Sequence, residues 1–186
     1  MSIQIERRHF TVHEYHRMVE AGILSEDDRV ELIEGEIIEM APIGRRHAAC
    51  VDKLTELLKE KLGRAAIVRV QGPVRLNDQS EPEPDVALLR RREDFYAREM
   101  PGPADVLLIV EVADTSSRYD RAVKVPLYAN AGIGEVWLVD LTAETIEVYA
   151  QPAGESYQSC KRLRRGDLLS PRAFPQAVLE VADLLV

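Results

Sequence analysis

Val106-Leu107-Leu108-Ile109-Val110-Glu111-Val112 is the stretch that decides the fold. It is almost continuously apolar, so both faces of the strand it forms must be buried, as happens at the centre of a sheet. Downstream, Ser116 to Ala131 has the pattern of a helix ended by Gly132. Pro126 is awkward there, because a proline inside a helix costs ~3 kcal/mol, so a kink or a second segment is expected. Glu135 to Leu141 and Thr145 to Tyr149 follow as a hairpin, Tyr157 to Leu163 as an edge strand, and Phe174 to Val186 as an apolar tail docked on the core. Upstream, Ala66 to Val70, Val74 to Leu76 and Asp85 to Leu89 are short strands separated by turn-forming Gly72-Pro73, Asn77-Asp78, Pro82 and Pro84. Arg90 to Met100 is polar, with room for one helical turn. His47 to Leu62 carries a helical stripe at Ala48, Val51, Leu54, Leu57, Leu58 and Leu62, closed by Gly63. Val30 to Met40 forms a β-hairpin about Glu34-Gly35, and Thr11 with Glu14 makes a capping box opening a helix that ends near Gly22. The order predicts an α/β (mixed α+β) fold: a mixed β-sheet flanked by helices.

The composition bounds the function. A chain of 186 residues, 46% hydrophobic and 30% charged, can bury one core and is expected to be one domain over 1–186. Within it lie a helix and hairpin over 11–40, a core over about 46–150 and a C-terminal extension over 151–186. A net charge of -8 excludes a surface that is basic all over. No apolar run reaches the ~18 residues that span a bilayer, and Met1 to Phe10 lacks the apolar segment of a signal peptide. Cys50 and Cys160 form neither a CxxC pair nor a zinc spacing. A cytoplasmic protein with no membrane partner is expected.

Three charged residues need explaining. Glu111 interrupts a strand buried on both faces, and a carboxylate there costs several kcal/mol unless a cation or hydrogen bonds compensate; the plainer alternative puts it at the strand end in solvent. Asp85 follows Pro84 at the start of another strand, where a turn aspartate is also common. Two carboxylates meeting at neighbouring strand ends repel unless a cation sits between them, and a hard divalent ion with oxygen ligands is the natural solution. Lys124 shares a helix face with Asp120 and Tyr128 by i,i+4 spacing. It is either a surface ion pair or an ammonium delivered to the two acids.

These residues belong to an ordered set: Glu31-Leu32-Ile33-Glu34-Gly35-Glu36-Ile37, then Gly44 and His47, Pro84-Asp85-Val86, Glu111-Val112, and Asp120…Lys124…Tyr128…Gly132…Glu135-Val136-Trp137-Leu138-Val139-Asp140. The set resembles the Uma-type restriction endonuclease family of the PD-(D/E)XK nuclease superfamily, from about Thr11 to the C-terminus. That resemblance implies a restriction-endonuclease-like core and Mg²⁺-dependent cleavage of DNA phosphodiesters, with one or two ions and Mn²⁺ able to substitute. Asp85 matches the Asp of PD and Glu111 the acid of (D/E)XK. The residue two after Glu111 is Ala113 rather than Lys, and Lys124 resembles a lysine moved to the next helix. Glu31 matches a further acid, with Glu34 and Glu36 competing for that role. The resemblance assigns Asp85, Glu111 and the Val112 carbonyl to the metal. It makes Asp85, Glu111, Lys124 and Glu31 the catalytic set, and Arg45, Arg46 and His47 the candidates for substrate contact.

Against a DNA enzyme stands the charge of -8, partly offset by Arg7-Arg8-His9, Arg45-Arg46-His47, Arg90-Arg91-Arg92 and Lys161-Arg162-Leu163-Arg164-Arg165. The expected partners are DNA and a second copy in a homodimer. The rival reading is a nuclease-fold module with weak or lost activity that binds nucleic acid or protein as a homo-oligomer. Trp137, flanked by Val136, Leu138 and Val139, is expected in a core or interface.

Overall fold

The computed structural model describes residues 7–25 and 27–185; the first six residues of the Met1 to Phe10 reading, and Val186 of the tail, lie outside them. In chain order the elements begin with α1 (Val12–Glu20), β1 (Val30–Ile33), β2 (Glu36–Glu39), α2 (Arg45–Leu62), β3 (Ala66–Val70), β4 (Val86–Arg90) and β5 (Val106–Ala113). After β5 come α3 (Ser117–Tyr119), a π turn (Asp120–Lys124) and α4 (Val125–Asn130), then β6 (Glu135–Asp140), β7 (Thr145–Ala153) and β8 (Ser156–Leu163). The chain closes with β9 (Leu168–Leu169), β10 (Leu179–Glu180) and α5 (Val181–Leu184).

β5 lies inside a six-stranded sheet of order β3-β4-β5-β6-β7-β8. Neighbours run antiparallel except β5 and β6, which are parallel and joined by the helical crossover. The sheet is mixed and covered on both faces, as the apolar run of β5 requires. Alternation divides that run between two cores. Leu108, Val110 and Val112 pack with Leu54 and Leu58 of α2 and with Leu184 of α5, while Ile109 packs with Leu127 and Tyr128 of α4. A register shift between Leu88 and Leu89 breaks the alternation, so Leu107 and Leu108 both pack against the first core. Trp137 is fully buried, its indole N–H donating to Glu135 Oε1 at 2.9 Å. The tail docks as expected: Leu179, Val181, Leu184 and Leu185 join the α2 side.

Local chemistry sets the element ends. Glu14 N–H donates to Thr11 Oγ1 and Thr11 N–H to Glu14 Oε2, closing the capping box. The β1–β2 hairpin turns on Glu34 and Gly35 with φ of 49° and 79°, the pair of left-handed residues that a two-residue hairpin favours. A side chain on Gly35 would place its Cβ 2.5 Å from that of His9.

Three expectations are corrected. Val74 to Leu76 is no strand: Val74 and Leu76 donate their N–H groups to Pro82 and Ser80 within a proline-edged loop, and only their side chains join the core. Arg90 to Met100 holds turns rather than helix, because Phe95 and Tyr96 have φ of 50° and 64°. The helix expected over Ser116 to Ala131 is three pieces. Pro126 falls in the first turn of α4, and the wider π turn before it, with Val125 N–H reaching the Asp120 carbonyl, absorbs the break.

Candidate active site

The site forms where the end of β5, the start of β4, the β1–β2 hairpin, α2 and the π turn meet around a cavity of about 400 Å³. Asp85, immediately before β4, is fixed on both oxygens. Oδ2 accepts the N–H of Val112 at 2.8 Å, and Oδ1 lies 3.0 Å from His47 Nε2. Glu111 is 3% exposed, so the strand-end-in-solvent alternative does not hold. Its Oε1 accepts the Tyr128 hydroxyl at 2.5 Å and stands 3.3 Å from Lys124 Nζ. The ammonium also lies 3.1 Å from Glu31 Oε2, which accepts the N–H of Glu83. Asp120 Oδ2 accepts the Ser116 hydroxyl at 2.6 Å. His47 Nδ1 and the Tyr119 hydroxyl are buried without a hydrogen-bond partner among the described residues.

Glu31, Glu83, Asp85, Glu111 and Asp120 line the cavity with Lys124 as the central cation and Arg29 and His47 beside them. The charges show the imbalance. Burial, with Asp85, Asp120 and Glu31 adding to it against Lys124, pushes the Glu111 carboxyl up to about 8. Burial likewise raises Asp120 and Glu83. Burial alone would lower Lys124, but Glu111, Glu31 and Asp120 outweigh it and keep the ammonium charged. The hydrogen bond that His47 donates to Asp85 raises its pKa against the opposing effect of burial.

The sequence-expected residues Asp85, Glu111, Val112, Lys124, Glu31 and His47 all line this one cavity. Arg45 and Arg46 do not. Arg45 is exposed on the first turn of α2, and Arg46 donates to the Leu141 carbonyl at 2.8 Å and lies 3.6 Å from Asp114. Of the competing hairpin acids, Glu34 is the turn residue and Glu36 pairs with Arg7, so Glu31 alone reaches Lys124. Sequence reasoning missed Glu83 and Tyr119. Glu83 sits between Pro82 and Pro84, a rigid context that signals presentation; Tyr119 carries no sequence signal.

The family model Uma2, described as "Putative restriction endonuclease", matches residues 12–182. The chain belongs to the Uma2 family. A crystal structure of "a putative nuclease belonging to DUF820" from Anabaena variabilis ATCC 29413 is similar to this Uma2 chain. The TM-score is 0.75 at 18% identity, covering 95% of this chain and 97% of that one. At that identity the likeness speaks for the fold. No curated protein matches. Among the described residues no helix is long and apolar enough to cross a membrane.

The donors of this Uma2 site fit a hard divalent cation: carboxylate and carbonyl oxygens with a surplus of negative charge. Among the described residues no three His, Cys, Asp or Glu side chains form a metal-holding group of their own.

Proposed function

We propose that this chain is a Mg²⁺-dependent endonuclease that hydrolyses DNA phosphodiester bonds. The observation that carries the reading is the junction of Asp85 and Glu111 through the Val112 peptide, facing a buried Lys124 in one cavity. Asp85, Glu111 and the Val112 carbonyl would hold the ion. Bound there, Mg²⁺ lowers the pKa of a coordinated water and stabilises the charge of phosphoryl transfer.

The chain's own residues supply the rest. Tyr128 and Lys124 hold one oxygen of Glu111, which fixes the plane of that carboxylate. The Val112 N–H and His47 do the same for Asp85. Lys124, kept protonated by Glu111 and Glu31, places a positive charge where a phosphate gains negative charge. Its burial among fixed partners means little reorganisation is needed when the substrate arrives.

Supercoiled plasmid incubated with the protein and Mg²⁺ tests the reading. Nicking is expected with the wild-type chain, to be abolished by EDTA, and to fall at least ~100-fold in Glu111→Gln, the scale on which loss of a transition-state-stabilising group is felt. A folded Glu111→Gln chain that nicks at the wild-type rate would sink the assignment. Mg²⁺-independent nicking would sink the metal.

A further inference from the structure

The loop after β4 builds a surface that the cavity chemistry does not use. Phe95 is 53% exposed, and both it and Tyr96 have left-handed backbone, which is disfavoured for aromatic residues and persists where surrounding contacts impose it. Those contacts are present. The Tyr96 ring is buried in the second core, and its hydroxyl donates to the Arg90 carbonyl at 2.9 Å. The Tyr96 N–H donates to Asp94, and Arg69 donates to the Phe95 carbonyl at 3.1 Å. The result is a phenyl ring held out from the surface, with the Arg91 guanidinium 4.3 Å from its centroid. Arg92 is committed to Asp94 and Glu99 and Arg69 lies over the Tyr96 ring, so Arg91 is the charge that stands at the Phe95 ring.

We propose that Phe95 and Arg91 form a stacking platform for a single-stranded DNA segment, with a base on the open face of Phe95 and the adjoining phosphate on Arg91. A fixed aromatic face beside a guanidinium matches the base-then-phosphate repeat of a single strand and needs no sequence readout. A stacked guanidinium keeps its in-plane N–H groups available for phosphate oxygens. A chain of net charge -8 cannot draw DNA by a broad field, so its contacts must be local. Arg69, opposite Ala87 on the edge strand β3, ties the loop after β4 back onto the sheet through the Phe95 carbonyl, so the platform is anchored to the sheet edge. The inference rests on the DNA-cleaving reading for the class of partner and adds the form of strand engaged.

The test is fluorescence anisotropy of the full chain in EDTA, with labelled oligothymidine about 12 nucleotides long and a blunt duplex of equal length. Phe95→Ala is expected to weaken oligothymidine binding about tenfold, Phe95→Tyr to restore it, and duplex binding to change little. Arg91→Ala is expected to weaken binding and to reduce the salt slope by about one phosphate contact. Unchanged affinity in both alanine variants overturns the platform, as does an equal loss on duplex, or binding of an acidic aromatic peptide in place of the oligonucleotide. Because no cleavage is read, the two claims separate. Phe95-dependent binding without plasmid nicking leaves the platform and removes the nuclease; nicking with indifferent Phe95 variants does the reverse.

Discussion

Glu111 sits on the strand that anchors the sheet, with one oxygen held by Tyr128 and Lys124 and its carboxyl pushed up to about 8 by burial. That value lies above the ordinary carboxylate range, so the stabilisation tied to its proton is complete below about pH 4.5 and is lost as pH rises through about 8. Glu111→Gln in a chelating buffer is therefore expected to raise the melting temperature by a few degrees at pH 8.5 and to leave it nearly unchanged at pH 4.5, since ~1 kcal/mol moves a chain of this size by ~2–4 °C. Thermal scans across that range check it; a fall at pH 8.5 would mean that the charge is net stabilising. Glu111 was legible in the sequence because a single acid in an apolar run has few physical excuses. Lys124 was left open by its spacing, which suits a surface ion pair equally well; burial beside Glu31 and Glu111 decides it. Tyr119 was not, because a tyrosine on a short helix looks the same whether its hydroxyl meets water or an acidic cavity.

At the scale of elements, the crossover between β5 and β6 shows what a pattern reveals and what it hides. Apolar periodicity and Gly132 placed its ends, and Pro126 announced a break, but a π turn depends on which carbonyls find partners in three dimensions. Val74 and Leu76 were misplaced for a related reason: their side chains are buried like those of a strand while their backbone bonds stay within the loop. β7 is pinned to the crossover by Glu147, which receives Arg121, Arg162 and Tyr149. Burial opposes its charge, but these hydrogen bonds prevail and bring the carboxyl down to about 2. With a depressed folded-state value, this stabilisation is full above about pH 4.5 and fades as pH falls toward 2. Glu147→Gln is expected to cost on the order of 2 kcal/mol in urea unfolding at pH 7, with a much smaller penalty at pH 3. An equal penalty at both values would assign the loss to packing instead of charge.

Seen whole, the molecule is an acidic body with a net charge of -8, and several of its arginines are closed on its own carboxylates, as at Arg7, Arg8, Arg46, Arg121 and Arg162. DNA affinity is therefore expected to fall with salt at a log–log slope of only about -2 to -3, the signature of two or three phosphate contacts. Titrations between low and moderate salt measure it, and a slope near -6 would require a basic track. The two-stranded β1–β2 sheet that supplies Glu31 is stitched to the rest along residues 79–81: Gly35 N–H to Gln79, Glu34 N–H to Ser80 Oγ and Glu81 N–H to Leu32. That same segment runs straight on to Glu83 and Asp85. A copy that has assembled its large sheet but not yet seated this small ribbon lacks one acid and leaves another unbraced. On the proposed function, seating this ribbon is the step that completes the acidic site.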